Sequence, residues 1–177
     1  MADIERELGG IDVLVASAIA WDFGQRPFDE TDQEAWVRSL RTNVEGTART
    51  VRAALQSMRR RQWGRIVIVS SAIAEEGYEG ASAYGTAKAA LYGLARTVAW
   101  EAGRHGVLCN VVVPGITETE MVVGGFPADV RSRFAARTPS RRLSQPQDVA
   151  SLIVFLGSGA NGNTSGAIVH EGSANGR

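Results

Sequence analysis

Tyr84 and Lys88 stand four residues apart in the stretch Ser82-Ala83-Tyr84-Gly85-Thr86-Ala87-Lys88. On a helix that spacing puts both side chains on one face, one turn apart. An ammonium beside a phenol favours the phenolate and is expected to lower its pKa. Such a tyrosine can give or take a proton near neutral pH. Lys88 is the only lysine of the chain, the other eighteen Lys+Arg positions being arginine. The spacing alone is common by chance, so the elements that position the pair have to decide its meaning.

Those elements read as strands alternating with helices. Ile11–Val15, Arg65–Ser70 and Val107–Val113 are short, nearly continuous apolar runs, as in strands buried on both faces. A fourth strand is expected over Ala167–His170. Residues 2–8 read as the last turns of a helix ended by Gly9-Gly10, and residues 16–30 as a loop. Thr31-Asp32-Gln33-Glu34 resembles a capping box. From there Trp36, Val37, Leu40, Val44, Ala48, Val51, Leu55 and Met58 form a helical stripe to about residue 61, with a break near Asn43. Further helices are expected over 82–104 and 128–137, and from Pro146, which suits a first helical turn, through Leu156. Residues 116–127 read as a loop. The fold class is therefore α/β, a parallel sheet of about four strands flanked by helices, in one domain over residues 1–177.

In such a sheet, ligands bind outside the carboxyl ends of the strands. Ser71 follows the second strand, Tyr84 opens the next helix, and Pro114-Gly115 follows the third strand. All reach the same rim.

The bulk composition narrows the partners. The 177 residues are 44% hydrophobic and 21% charged, with zero formal net charge, so there is no basic footprint for nucleic acid. Arg59-Arg60-Arg61 reads as a solvated helix end, where cations suit the dipole. Cys109, the single cysteine, lies in an apolar run and reads as a core residue. No metal-ligand pattern stands out. No apolar stretch reaches membrane-spanning length, and the N-terminus lacks the form of a secretion signal, so a cytoplasmic protein with no membrane partner is expected.

Thr42-Asn43-Val44, Ser70-Ser71, Tyr84-x-x-x-Lys88, Pro114-Gly115 and Thr119 occur in this order, followed by Asp148-Val149-Ala150, Phe155-Leu156 and Ser165-Gly166. The set resembles the short-chain dehydrogenase/reductase family from Gly10 onward. That resemblance implies a truncated Rossmann-like sheet and a catalytic tetrad. Tyr84 would be the general acid/base and Ser71 would hold the substrate oxygen. Lys88 would lower the Tyr84 pKa and hold the nicotinamide ribose, and Asn43 would anchor a water in a proton relay. Thr119, with Pro114 and Gly115, would meet a nicotinamide if one binds.

The resemblance also exposes departures. The family opens with a strand, a glycine-rich turn and a helix that seat the dinucleotide, and Met1 corresponds to a point just before the family's fourth strand. The stretch Gly157-Ser158-Gly159-Ala160-Asn161-Gly162 matches the spacing of a dinucleotide turn, but it follows a helix and precedes a strand, the reverse of the required context. Where the family carries Asn-Asn-Ala-Gly this chain reads Ala16-Ser17-Ala18-Ile19, and its terminal Gly-Gly reads Gly172-Ser173.

Three readings follow. In the first, Tyr84, Lys88 and Ser71 perform acid/base chemistry on a carbonyl or hydroxyl with no dinucleotide normally bound: enolisation, dehydration, an aldol-type step or ring opening. In the second, the chain is an NAD(P)-dependent carbonyl reductase or alcohol dehydrogenase whose cofactor half comes from a partner or an upstream segment. In the third, it is a non-catalytic subunit of a full-length relative. A strand over 11–15 without its family neighbour would be an apolar sheet edge that something must cover. A homodimer through the helices at 43–61 and 83–104, or a higher oligomer, is expected. The loop at 116–127 suits a small or flat apolar substrate.

Overall fold

A computed structural model of the chain describes residues 6–20 and 26–172. Residues 2–5 of the expected opening helix and Ser173 lie outside them, and residues 6–8 are helical. Four strands form one fully parallel sheet in the order β1 (Val13–Ala16), β2 (Gly64–Val69), β3 (Val107–Pro114) and β4 (Ile168–Glu171). The fold class read from the sequence is the one observed.

The apolar runs sort by the strand period of two. Ile66 and Ile68 of β2, with Val107, Cys109, Val111 and Val113 of β3, face helices α2 (Gly46–Arg61) and α4 (Ser82–Ala102). There they meet Met58 and Val51 of α2 and Leu91, Ala95 and Val98 of α4. Val67 and Val112 point the other way, onto Leu156 of α7 (Pro146–Gly157). Cys109 is buried, and burial pushes its thiol up to about 12, in keeping with a core role.

β1 corrects one expectation. It pairs only with β2 and is half-exposed, Val13 and Val15 each keeping 42% of their surface. The run is not buried on both faces; among the described residues it is the apolar sheet edge that the family resemblance implies at 11–15.

The long stripe after residue 31 is also refined. Helix α1 (Gln33–Leu40) is capped by Asp32, whose carboxylate accepts from the Ala35 N–H at 2.8 Å. The Thr31 hydroxyl instead donates to the Pro27 carbonyl, so no Thr31–Glu34 box forms. A reciprocal box does form at Gln145 and Asp148, opening α7. The break near Asn43 is a π-helical turn over Arg41–Glu45, which leads directly into α2. A short helix, α3 (Ile73–Glu76), follows β2, and another, α5 (Glu120–Gly125), lies inside the loop expected at 116–127, ahead of α6 (Ala128–Arg137).

Candidate active site

The site grows from the carboxyl end of β2. Ser70 extends the ladder by donating its N–H to the Val112 carbonyl at 2.8 Å. Its buried hydroxyl donates to the carbonyl of Lys88 at 3.0 Å, and the Lys88 ammonium donates back to the carbonyl of Val69 at 2.8 Å. Two crossed hydrogen bonds thus fasten α4 to β2 at the level of the lysine. Ser70 was visible in the sequence only as the neighbour of Ser71; the clamp it forms depends on tertiary contact.

Ser71 follows immediately. Its Oγ accepts from the Ile73 N–H at 3.3 Å, which sets the hydroxyl against the first turn of α3, and it hydrogen-bonds the Tyr84 side chain. Tyr84 is the third residue of α4, and Lys88 lies one turn further in. The Lys88 ammonium is 5.7 Å from the centre of the Tyr84 ring. Pro114 and Gly115 join the same rim: the Pro114 carbonyl accepts from the Ala72 N–H at 3.1 Å, and the Gly115 N–H donates to the Glu171 carbonyl at 2.7 Å.

Asn43 is buried in the π-helical turn, which packs against α4. Its Oδ1 accepts from the Ala20 N–H at 2.9 Å, and its Nδ2 donates to the carbonyls of Ala20 at 2.7 Å and Ser39 at 3.0 Å. The side chain therefore pins the loop after β1, the stretch that departs from the family pattern at Ala16–Ile19. A water held by Asn43 would have to use its backbone carbonyl, which already accepts from the Thr47 hydroxyl at 2.8 Å. Thr119 is exposed and caps α5, its hydroxyl accepting from the Val122 N–H at 3.4 Å.

The electrostatics revise the opening expectation. Burial raises the Tyr84 pKa above its ordinary value, and the hydrogen bond from Ser71 offsets only part of that rise. Burial lowers Lys88 to about 8. The ammonium is directed at the Val69 carbonyl, so loss of solvation outweighs its pull on the phenol. Tyr84 is a neutral phenol at pH 7, an acid ready to donate.

The chain matches, over residues 1–172, the family described as enoyl-(acyl carrier protein) reductase. It is 39% identical to cis-4-hydroxycyclohexanecarboxylate dehydrogenase of Sinomonas cyclohexanicum over 92% of this chain and 65% of that protein. It is 34% identical to acetoacetyl-CoA reductase of Cupriavidus necator over 93% and 65% of the two chains. The chain belongs to the short-chain dehydrogenase/reductase family. It spans about two thirds of the length of these curated relatives, 65% of each.

Solved structures agree. A short-chain dehydrogenase/reductase family protein superposes with a TM-score of 0.83 at 33% identity, over 96% of this chain and 68% of the other. A gluconate 5-dehydrogenase from Burkholderia cenocepacia, in complex with NADP and tartrate, superposes with a TM-score of 0.88 at 25% identity, over 96% and 66%. The relatives named here are dehydrogenases and reductases, which lends no support to a dinucleotide-free reaction.

The residues present fit the nicotinamide end of a dinucleotide. Lys88 carries three N–H donors and uses one on Val69, which leaves donors for a ribose beside Tyr84. Lys88, Thr119 and the Pro114-Gly115 rim would hold that end. Among the described residues no glycine-rich turn leads from a strand into a helix, and Gly157–Gly162 runs from α7 toward β4. Among those residues, too, no helix is long and apolar enough to cross a membrane.

Proposed function

We propose that this chain carries the acid/base machinery of an NAD(P)-linked dehydrogenase or reductase acting on a secondary hydroxyl or the corresponding carbonyl. The hydrogen-bonded pair Tyr84 and Ser71, set beside the clamped Lys88, carries the reading. A nicotinamide held by Lys88, Thr119 and the Pro114-Gly115 rim would supply or accept the hydride. In reduction, Tyr84 gives its proton to the carbonyl oxygen as negative charge develops there. The Ser71 hydroxyl donates a hydrogen bond to the same oxygen and so fixes its distance from the phenol. Lys88 stabilises the phenolate that remains; the Val69 carbonyl holds its ammonium, and the Ser70 hydroxyl fixes its backbone. In oxidation the same groups act in reverse, Tyr84 taking the hydroxyl proton.

The test is formation of reduced nicotinamide from cis-4-hydroxycyclohexanecarboxylate with NAD+ or NADP+, in the chain and in Tyr84→Phe. Turnover in the chain and a loss of at least ~100-fold in the variant are expected. Full activity in Tyr84→Phe sinks the assignment.

A second reading rests on Ala16-Ser17-Ala18-Ile19, which stands where the family carries Asn-Asn-Ala-Gly. In it the same pair works without a dinucleotide, on an enolisable ketone. Deuterium exchange next to a ketone, dependent on Tyr84 and indifferent to nicotinamide, would favour it over the first.

A further inference from the structure

A cavity of about 370 Å³ opens beside Tyr84, between the starts of α1 and α4. Ser82, Ala83 and Tyr84 line one side and Trp36 the other, with Arg26 also on the wall. That volume suits a small ring or a short chain with a few polar groups.

The Trp36 indole Nε1 is buried with no hydrogen-bond partner, an arrangement a folded protein usually avoids. One charged wall group is left over from folding. Arg26 is exposed and makes no ion pair or hydrogen bond among the described residues. Asp32 also lines the cavity; its Oδ1 accepts from the Ala35 N–H at the start of α1, and it forms no ion pair with Arg26. The cavity therefore offers a guanidinium as an unused donor, with Tyr84 on the same wall and Trp36, Ala35, Ala81 and Ala83 supplying apolar surface.

We propose that the substrate is a free hydroxy acid or oxo acid, its carboxylate held by Arg26 and its reacting oxygen at Tyr84. This rests on the reading of Tyr84 as the proton-transfer residue. A carboxylate is the group that matches an unpaired guanidinium, through two parallel charged hydrogen bonds. The alanines and the indole face contact the carbon frame between the two ends, so the carboxylate is remote from the reacting carbon. A thioester, which is uncharged at the acyl group, leaves Arg26 unused.

Binding of 4-oxocyclohexanecarboxylate and of its carboxamide, followed by tryptophan fluorescence, tests the proposal. The acid is expected to bind at least about tenfold more tightly than the amide. Arg26→Gln removes that difference by weakening the acid alone, and Arg26→Lys restores part of it. Equal affinities for acid and amide, an equal effect of Arg26→Gln on both, or no saturable binding of the acid overturns it. Tyr84→Phe separates the two readings: it is expected to keep the acid's affinity while turnover is lost. Full turnover in that variant sinks the proton-transfer role and leaves the carboxylate result standing on its own.

Discussion

The ammonium of Lys88 lies 5.7 Å from the centre of the Tyr84 ring and donates to the carbonyl of Val69 at 2.8 Å. The helix spacing puts the two residues on one face, but the tertiary contact decides where the charge points. A buried cation held on a backbone carbonyl is oriented without a carboxylate partner. Its position is kept at the expense of solvation, which is why Lys88 falls to about 8.

That arrangement has a consequence for stability. Lys88 in the unfolded chain keeps its proton up to about 10.4, while in the folded chain it lets go near 8. Between those values the unfolded state binds more protons, so stability contributed at this site rises with pH through the window. Below pH 8 the burden is at its full size, on the order of 3 kcal/mol. Lys88→Met keeps the stem and removes the charge, losing a hydrogen bond worth about 1 kcal/mol. The variant is expected to be roughly 1–2 kcal/mol more stable than the parent at pH 7 in urea denaturation, with the gain gone by about pH 10.5. A variant less stable at pH 7 would show that the buried ammonium holds the fold together.

Tyr84 gives a kinetic counterpart. Burial keeps its proton on above the ordinary phenol range. The reduction direction is therefore expected to run flat through neutral pH, and the oxidation direction to climb into the alkaline range as the phenolate forms. Ser71→Ala removes the one contact that lowers the Tyr84 pKa. Its alkaline limb should move to still higher pH, with kcat down by roughly 100-fold. A limb that moves to lower pH in Ser71→Ala would contradict the Ser71 hydrogen bond that lowers the Tyr84 pKa.

Much of this is legible in the sequence. The runs Arg65–Ser70 and Val107–Val113 are buried on both faces, and their type follows from their apolar continuity. The break at Asn43 also showed in the sequence. What escaped depends on partners distant along the chain. Ser70 pairs with Lys88, and Asn43 with Ala20, 23 residues away. Apolarity alone reads Ile11–Val15 as buried on both faces, whereas the family resemblance marks it as an edge, as observed. Helix α5 was hidden by Gly124-Gly125 at its end, although Thr119 marks its start as a cap. The direction of the Tyr84 shift was misread because sequence spacing reports proximity to a charge but not burial.

Asn43 offers a test of its own. Its amide makes hydrogen bonds to both backbone groups of Ala20 and to Ser39. Asn43→Ala takes this partner from the part-buried backbone groups of Ala20, at a cost of about 1–3 kcal/mol. Asn43→Asp replaces the donating Nδ2 by an oxygen facing two carbonyls, and is expected to cost more, about 3–5 kcal/mol. Chemical denaturation measures both. If Asn43→Ala folds with unchanged stability, the loop after β1 is held by something other than this side chain.

The outer edge of β1 carries the last prediction. Val13–Ala16 pairs with β2 on one side only, and Val13 and Val15 remain 42% exposed. Nearby, the Val13 side chain packs against Gly157 at the end of α7, where Val154 and Phe155 keep 68% and 47% of their surface. An apolar strand with a free edge pairs with whatever strand it meets, and lysine on the edge is how sheet proteins suppress that. A second copy of the chain is the partner available to the purified protein. Sedimentation velocity is expected to show concentration-dependent association in the parent. The double variant Val13→Lys and Val15→Lys should sediment more slowly at the same concentration. Because both positions are already exposed, its stability should change by less than about 1 kcal/mol. A parent that stays monomeric at all concentrations, or a double variant that associates as strongly, would place self-association elsewhere, with the exposed Trp100 of α4 the next site to test.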